Sequence, residues 1–373
     1  MSMMTKSIKK ADQSRPVHGG VSLAKLRELR ISRDAVIDFS VNINPLGPPP
    51  EVKDALGKLD ISAYPDSESL ELKEAVSRVT GAQLEQIAIG NGTMELIHLL
   101  AQLFLAQGKA AAILTPTFNE YEIATKRTGA KIILLRAEEK EGFMWDVSAV
   151  CYQILHKKPN LLFICNPNNP TGVYLKREVI EAFMDAVGKG FLVLDESYIS
   201  FVKDGLNATE LLGRGNIIIL HSMTKNYALA GLRLGYALCP KEVASAILAM
   251  QPTWSVNAAA QAAGLAALLD GAFLGDAVRC VETGKTYLST ELQALGVEVL
   301  PAAANFLLVK VGNASVLHQR LLTKGICVRD CSSFGLPEYI RIGVRTLPEC
   351  KRLIEALAEI LSSEFRAPSS KEV

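Results

Sequence analysis

The stretch NIIILHSMTKNYALAGLRLGY, residues 216–236, passes from an apolar run directly into hydroxyls, a lysine and an arginine. Its first five residues read as a strand that is apolar on consecutive positions, as a strand covered on both faces should be. The residues after Leu220 do not read as core. Ser222, Thr224 and Lys225 stand just beyond the strand, and Arg233 comes eight positions after the lysine, bracketed by glycines. A solvated loop leading into an amphipathic helix would account for such a stretch. So would a site where one amine does covalent chemistry beside a bound phosphate.

The same strand pattern recurs along the chain. IAIG (87–90), AAILT (111–115), KIILL (131–135), LLFIC (161–165), FLVLD (191–195) and GYALC (235–239) are short apolar runs. Helical patterns such as MELIHLLAQLFLA (94–106) and LKREVIEAFMDAVGKG (175–190) alternate with them. The alternation predicts an α/β architecture with a mainly parallel sheet sandwiched by helices. From about Trp254 the texture changes. An Ala-rich helix, NAAAQAAGLAALL (257–269), leads into a smaller α+β unit with strands in EVLPAAANFLLVK (298–310), GICVR (325–329) and EYIRIGV (338–344). CKRLIEALAEILSSE (350–364) closes it as a helix. The expected organisation is an N-terminal arm (1–45) that joins the small domain and the active site, a large domain (46–255) and a small C-terminal domain (256–373).

Composition narrows the function classes. Forty basic against thirty-nine acidic side chains leave a formal charge of +1, which offers no footprint for nucleic acid or an anionic membrane. No apolar run is long enough to span a bilayer. The polar, basic start MSMMTKSIKKADQSR is not a secretory signal. Seven cysteines, spread singly, and five histidines without metal-ligand spacing predict reduced thiols, no metal site and a cytoplasmic setting.

In a parallel α/β sheet, ligands gather beyond the carboxyl ends of the strands. Here those ends read GNGTME, TPTFNEY, NPNNPTG, DESY and HSMTK, which suggests one shared site. GNGTME lacks the third glycine of a dinucleotide fingerprint, and Arg279 replaces the first glycine of a P-loop ending at Gly284-Lys285-Thr286. Pyridoxal phosphate fits better. It needs an amine for a Schiff base, a carboxylate at its ring nitrogen, donors to its phenolic oxygen and a phosphate cup. Lys225 is the candidate amine and Asp195 the carboxylate, with Tyr198 and Asn169 for the phenolic oxygen. Gly92 and Thr93 begin a helix whose free N–H groups favour phosphate. Ser222, Thr224 and Arg233 would complete the cup, and Phe118 could stack on the ring.

Taken together, YPD at Tyr64, GNGTME, TPTFNEY, NPNNPTG, VLDESY, SMTKNYALAGLRLGY and YIRIGV resemble the aspartate-aminotransferase-like, fold type I pyridoxal-phosphate enzymes of class I/II. The resemblance covers nearly the whole chain and implies the same cofactor roles for Lys225, Asp195, Asn169, Tyr198 and Phe118. It further implies a homodimer in which Tyr64 reaches the neighbouring subunit's cofactor phosphate, and Arg341 as the site for the substrate carboxylate.

Two subfamilies share this text. Histidinol-phosphate aminotransferases are similar through SMTK, ALAGLR and a C-terminal arginine. L-threonine-O-3-phosphate decarboxylases look closer, through HGG (18–20), DFSVNINPLGPP (38–49), PTWSVN (252–257) and the ICVRDC–YIRIGVR pair. The expectation is therefore decarboxylation of threonine phosphate or serine phosphate for cobalamin biosynthesis. Transamination of histidinol phosphate is the alternative, and a non-catalytic cofactor-binding regulator is a reading of a different class. For a phosphorylated amino acid, His18, Arg329 and Arg341 would divide phosphate and carboxylate between them, with Asn169 assisting. Gly19 and Gly20 would let the arm approach closely.

Overall fold

A computed structural model gives the positions of residues 19–269 and 271–365; His18 lies outside the described residues. The strands are, in chain order, β1 (Ile37–Asp38), β2 (Ile87–Gly90), β3 (Ala110–Thr115), β4 (Lys131–Arg136), β5 (Leu161–Cys165), β6 (Phe191–Asp195), β7 (Ile217–Ser222) and β8 (Gly235–Leu238). After them come β9 (Glu298–Val299), β10 (Phe306–Lys310), β11 (Ile326–Cys327), β12 (Arg329–Asp330) and β13 (Tyr339–Gly343).

Seven of these form one sheet in the order β2-β8-β7-β6-β5-β3-β4. All neighbours are parallel except β8, which is antiparallel to both β2 and β7. The consecutive apolar residues of its strands are explained by cover on both faces. Leu162, Ile164, Leu192 and Leu194 join one core cluster, together with Ile180, Phe183 and Met184 of the helix Arg177–Val187. Leu161, Phe163 and Val193 join the other, with Leu96, Ile97 and Leu100 of the helix Gly92–Phe104. The strand period of two thus sorts one run into two cores. β7 runs two residues beyond the predicted Leu220, because β8 supplies partners for His221 and Ser222 at Tyr236 and Gly235.

A second sheet, ordered β12-β13-β10-β9, is antiparallel throughout and packs on the helices Phe273–Ala294 and Leu347–Phe365. β1 pairs in parallel with β11, so the later part of the N-terminal segment 1–45 is tied to residues 326–327. The helix Ala258–Leu269 instead buries Ala260, Ala263, Ala266 and Ala267 in the core of the large sheet. It lies against the helices Pro50–Gly57 and Leu70–Thr80. Among the described residues no single helix is long and apolar enough to cross a membrane.

Candidate active site

The carboxyl ends of β2, β3, β5, β6 and β7 open on a cavity of about 420 Å³, closed on its other side by residues of β12 and β13. Lys225 sits on the single helical turn Met223–Asn226 after β7, and it lines this cavity. Burial brings its ammonium down to about 8; Arg341 and Arg233 add to that effect and Asp195 opposes it. Asp195 ends β6 on the same face as Val193. Ser197 donates to its Oδ1 through the hydroxyl at 2.5 Å and the N–H at 3.0 Å, and the Tyr121 hydroxyl donates to Oδ2 at 2.7 Å. Burial raises this carboxyl, and the donors pull it back toward the ionised form. Tyr121 is fully buried and stacked on Phe163 at 5.1 Å, so its hydroxyl is held in place.

Tyr198 and Asn169 flank the same space. The Asn42 side-chain amide donates to the Tyr198 hydroxyl at 3.3 Å, and burial pushes that phenol up to about 12. The NPNNPTG loop is fastened from within. Asn166 bonds both N–H and C=O of Leu175, at 2.7 and 3.0 Å, while Asn168 accepts from Thr117 at 2.7 Å and donates to the Pro116 carbonyl at 2.9 Å.

Gly92 and Thr93 open the helix Gly92–Phe104, whose first turn has no side-chain cap. Gly92 has φ +77°, and a Cβ there would stand 2.9 Å from Arg233 Nη2. A Cβ on Gly235 would stand 2.8 Å from the Thr93 nitrogen, so two glycines bring the arginine and the helix start together. Ser222 and Thr224 share a hydroxyl hydrogen bond of 2.6 Å beside them. Phe118 lines the cavity and meets Tyr121 edge-on at 5.7 Å.

Opposite lies a pair of cations. Arg329 and Arg341 are direct partners across the β12–β13 ladder, and both are buried. Arg341 donates to Asn169 Oδ1 and, at 2.7 Å, to the Ser40 carbonyl, while its Nε has no partner. Arg329 donates to Ser333 Oγ at 2.7 Å and lies over the Phe334 ring. Gly19 also lines the cavity, so close to the Ser40 carbonyl that any side chain would overlap it, and the Gly20 N–H donates to Ser40 Oγ at 2.7 Å. Tyr64 is the candidate that one chain does not bring here. It is 77% exposed and stacked on Trp254 at 4.2 Å.

The structure adds residues that sequence reasoning passed over: Tyr121 and Ser197 on Asp195, Asn42 on Tyr198, and the Ser40 carbonyl on Arg341. Tyr121 and Ser197 belong to strand-end segments already singled out. Ser40 and Asn42 lie inside DFSVNINPLGPP (38–49), a segment read from the sequence only as a mark of subfamily, and nothing in its text points to these contacts.

Residues 34–357 match the family model for aminotransferase class I and II. The chain belongs to that family. A histidinol-phosphate aminotransferase of Moorella thermoacetica is 35% identical over 335 residues, which is 88% of this chain and 86% of that protein. The structure of a histidinol-phosphate aminotransferase from Sinorhizobium meliloti, in complex with pyridoxal-5′-phosphate, superposes with a TM-score of 0.83 at 25% identity, over 91% of this chain and 94% of that one. L-threonine-O-3-phosphate decarboxylase from Porphyromonas gingivalis has a TM-score of 0.77 at 27% identity, over 87% of this chain and 99% of that one.

These findings overturn the expected decarboxylase. Curated relatives that match most of the chain at 31–35% identity are histidinol-phosphate aminotransferases, and the decarboxylase structure superposes less closely than the Sinorhizobium meliloti one. Lyase chemistry and a place in cobalamin biosynthesis go with it. The motifs that suggested them do structural tasks: Gly19 packs on Ser40, Asn42 and Asn44 bond buried backbone and hydroxyl groups, and Trp254 stacks on Tyr64. Asn257 accepts from the Ala260 N–H at the start of the helix Ala258–Leu269. Scaffold positions of this kind do not report the substrate.

The cofactor of this aminotransferase-family chain is pyridoxal 5′-phosphate, and the donor set suits it. A buried amine, a buried carboxylate anchored by three donors, and an uncapped helix start cradled by Gly92 and Arg233 all face one cavity.

Proposed function

We propose that this chain is an aminotransferase that moves the amino group of histidinol phosphate, or a closely related phosphorylated amine, to 2-oxoglutarate. The observation that carries this reading is the buried Arg329–Arg341 pair facing Lys225 across one cavity. The two half-reactions present one site with a phosphate in turn and then with carboxylates. Two guanidiniums serve both anions through bidentate contacts.

When bound, the cofactor supplies a carbonyl carbon that exchanges amines and a ring that accepts electrons. In this reading Lys225 would be the amine that holds the cofactor, and the same amine would accept and return the proton of the substrate's Cα. An amine brought to about 8 suits both directions of transfer near neutral pH. Asp195 would keep the ring nitrogen protonated, and Tyr198 and Asn169 would hold the phenolic oxygen. Gly92, Thr93, Ser222, Thr224 and Arg233 take the phosphate, and Phe118 covers the ring. Arg341, fixed by Asn169 and Ser40, would hold one anionic group of the substrate in the cavity that Lys225 lines. Arg329 takes the second anionic charge.

The reading extends to a cytoplasmic homodimer in which Tyr64 completes the neighbouring site. Supporting this, Ile61, Tyr64 and Trp254 are large, exposed and close in sequence or space. The test is incubation of the holoenzyme with L-histidinol phosphate and 2-oxoglutarate, scoring glutamate. Turnover with stoichiometric glutamate is expected. Release of CO2 from L-threonine phosphate without glutamate formation would overturn the proposal.

A further inference from the structure

The segment from Ser40 to Asn44 threads between the two sheets, and alternate residues touch three functional groups. The Ser40 carbonyl accepts from Arg341 at 2.7 Å, and Asn42 donates to Tyr198 at 3.3 Å. Asn44 reaches the turn that carries Lys225. It is buried, its backbone N–H donates to the Lys225 carbonyl at 2.9 Å, and its side-chain amide donates to the Asn226 carbonyl at 2.8 Å. Its Oδ1 accepts from the Leu46 N–H at 3.0 Å. The helix Met223–Asn226 is a single turn, and the only i+3 bond its Lys225 carbonyl accepts among the described residues, from the Ala228 N–H at 3.3 Å, is longer than the one from Asn44. Nothing else fixes the amine by direct bonding: among the described residues Lys225 Nζ makes no hydrogen bond or ion pair. Its aim therefore depends on where its backbone is held.

We propose that Asn44 is a positioning residue for Lys225, fixing the turn that carries the amine to the same segment that holds Arg341 and Tyr198. The inference rests on Lys225 being the cofactor-binding amine. Because burial first, and then Arg341, Arg233 and Asp195, set that amine's proton affinity, loosening the turn changes its titration as well as its reach.

Three variants separate positioning from local folding. Asn44→Asp keeps the acceptor for Leu46 but turns a second acceptor toward the Asn226 carbonyl. Asn44→Ala loses both side-chain bonds and keeps only the backbone bond to Lys225, and Asn44→Gln keeps the donor on a longer arm. Two readouts do not depend on turnover: the pH profile of Lys225 acylation by acetic anhydride in the apoenzyme, mapped by peptide mass spectrometry, and the pH midpoint of the holoenzyme's visible absorbance. Asn44→Asp and Asn44→Ala are expected to move both midpoints by about half a pH unit or more. They should lower kcat about tenfold with KM for histidinol phosphate within about twofold, and Asn44→Gln should recover part of the loss. A folded Asn44→Asp protein with wild-type midpoints overturns the proposal. So does failure of all three variants to fold, which would make the role purely structural. A Lys225→Ala protein that kept the wild-type visible band would instead sink the amine assignment itself, a separate failure.

Discussion

Replacing Lys225 by methionine should make the apoenzyme more stable at pH 7, although it abolishes turnover. The reason lies in where the ammonium sits. Its fall from 10.5 to about 8, at about 1.4 kcal/mol per pH unit, corresponds to a cost of about 3 kcal/mol for burying the charged form. Below pH 8 both the folded and the unfolded chain carry the proton, and the fold bears the whole cost. Between about 8 and 10.5 the folded chain has lost it while the unfolded chain keeps it, so stability rises with pH across that window. Above 10.5 both forms are neutral and the cost is gone. Methionine matches the lysine stem in length and carries no charge. Urea denaturation of both apoproteins at pH 7 and pH 10.5 reads the difference directly. The variant should gain up to about 3 kcal/mol at pH 7 and little at the higher pH. A variant no more stable than wild type at pH 7, or a gap that persists unchanged to pH 10.5, would refute the account of the buried amine.

Tyr121→Phe removes a 2.7 Å donor from Asp195 while leaving the ring stacked on Phe163. A charge-assisted bond worth about 1.5–3 kcal/mol is lost, so kcat should fall about tenfold or more in steady-state assays, with weaker cofactor binding by titration. Gly92→Ala meets both a left-handed φ of +77° and a contact of 2.9 Å with Arg233. Cofactor affinity should drop about tenfold by equilibrium dialysis, and thermal denaturation should show a loss of about 1–2 kcal/mol. Arg341→Lys cannot hold Asn169 and the Ser40 carbonyl at once with a planar fork. KM for the anionic substrates should rise about a hundredfold, with cofactor affinity within about twofold of wild type.

The strands of the large sheet are legible because each is a short apolar run bounded by polar or glycine-rich text, and cover on both faces leaves no other pattern. The strand ends are legible for the complementary reason: Asp195, Asn169 and Lys225 are costly residues to place against such runs unless chemistry needs them. Tyr121 escapes notice because it sits inside a helix whose alternation explains a buried aromatic without further purpose. Ser40, Asn42 and Asn44 escape for another reason. Their partners lie 301, 156 and 182 positions away, and no local spacing encodes such a meeting. The substrate is misjudged where motif text alone is used. Gly19 and Gly20, NINP and PTWSVN shape the contact with Ser40, the turn beside Lys225 and a helix start, tasks that enzymes of one fold share whatever bond they break.

Arg329 and Arg341 face one another across a buried ladder, and burial lowers both guanidiniums, with their mutual repulsion adding to the effect on Arg329. Two like charges behind a low-dielectric wall discriminate ligands by charge count before shape. A dianion relieves repulsion that a neutral analogue of equal size leaves untouched, and salt screens a buried pair far less than an exposed one. Inhibitors of this site should therefore rank by anionic charge more steeply than by surface buried, and that ranking should survive at an ionic strength that would erase a surface effect.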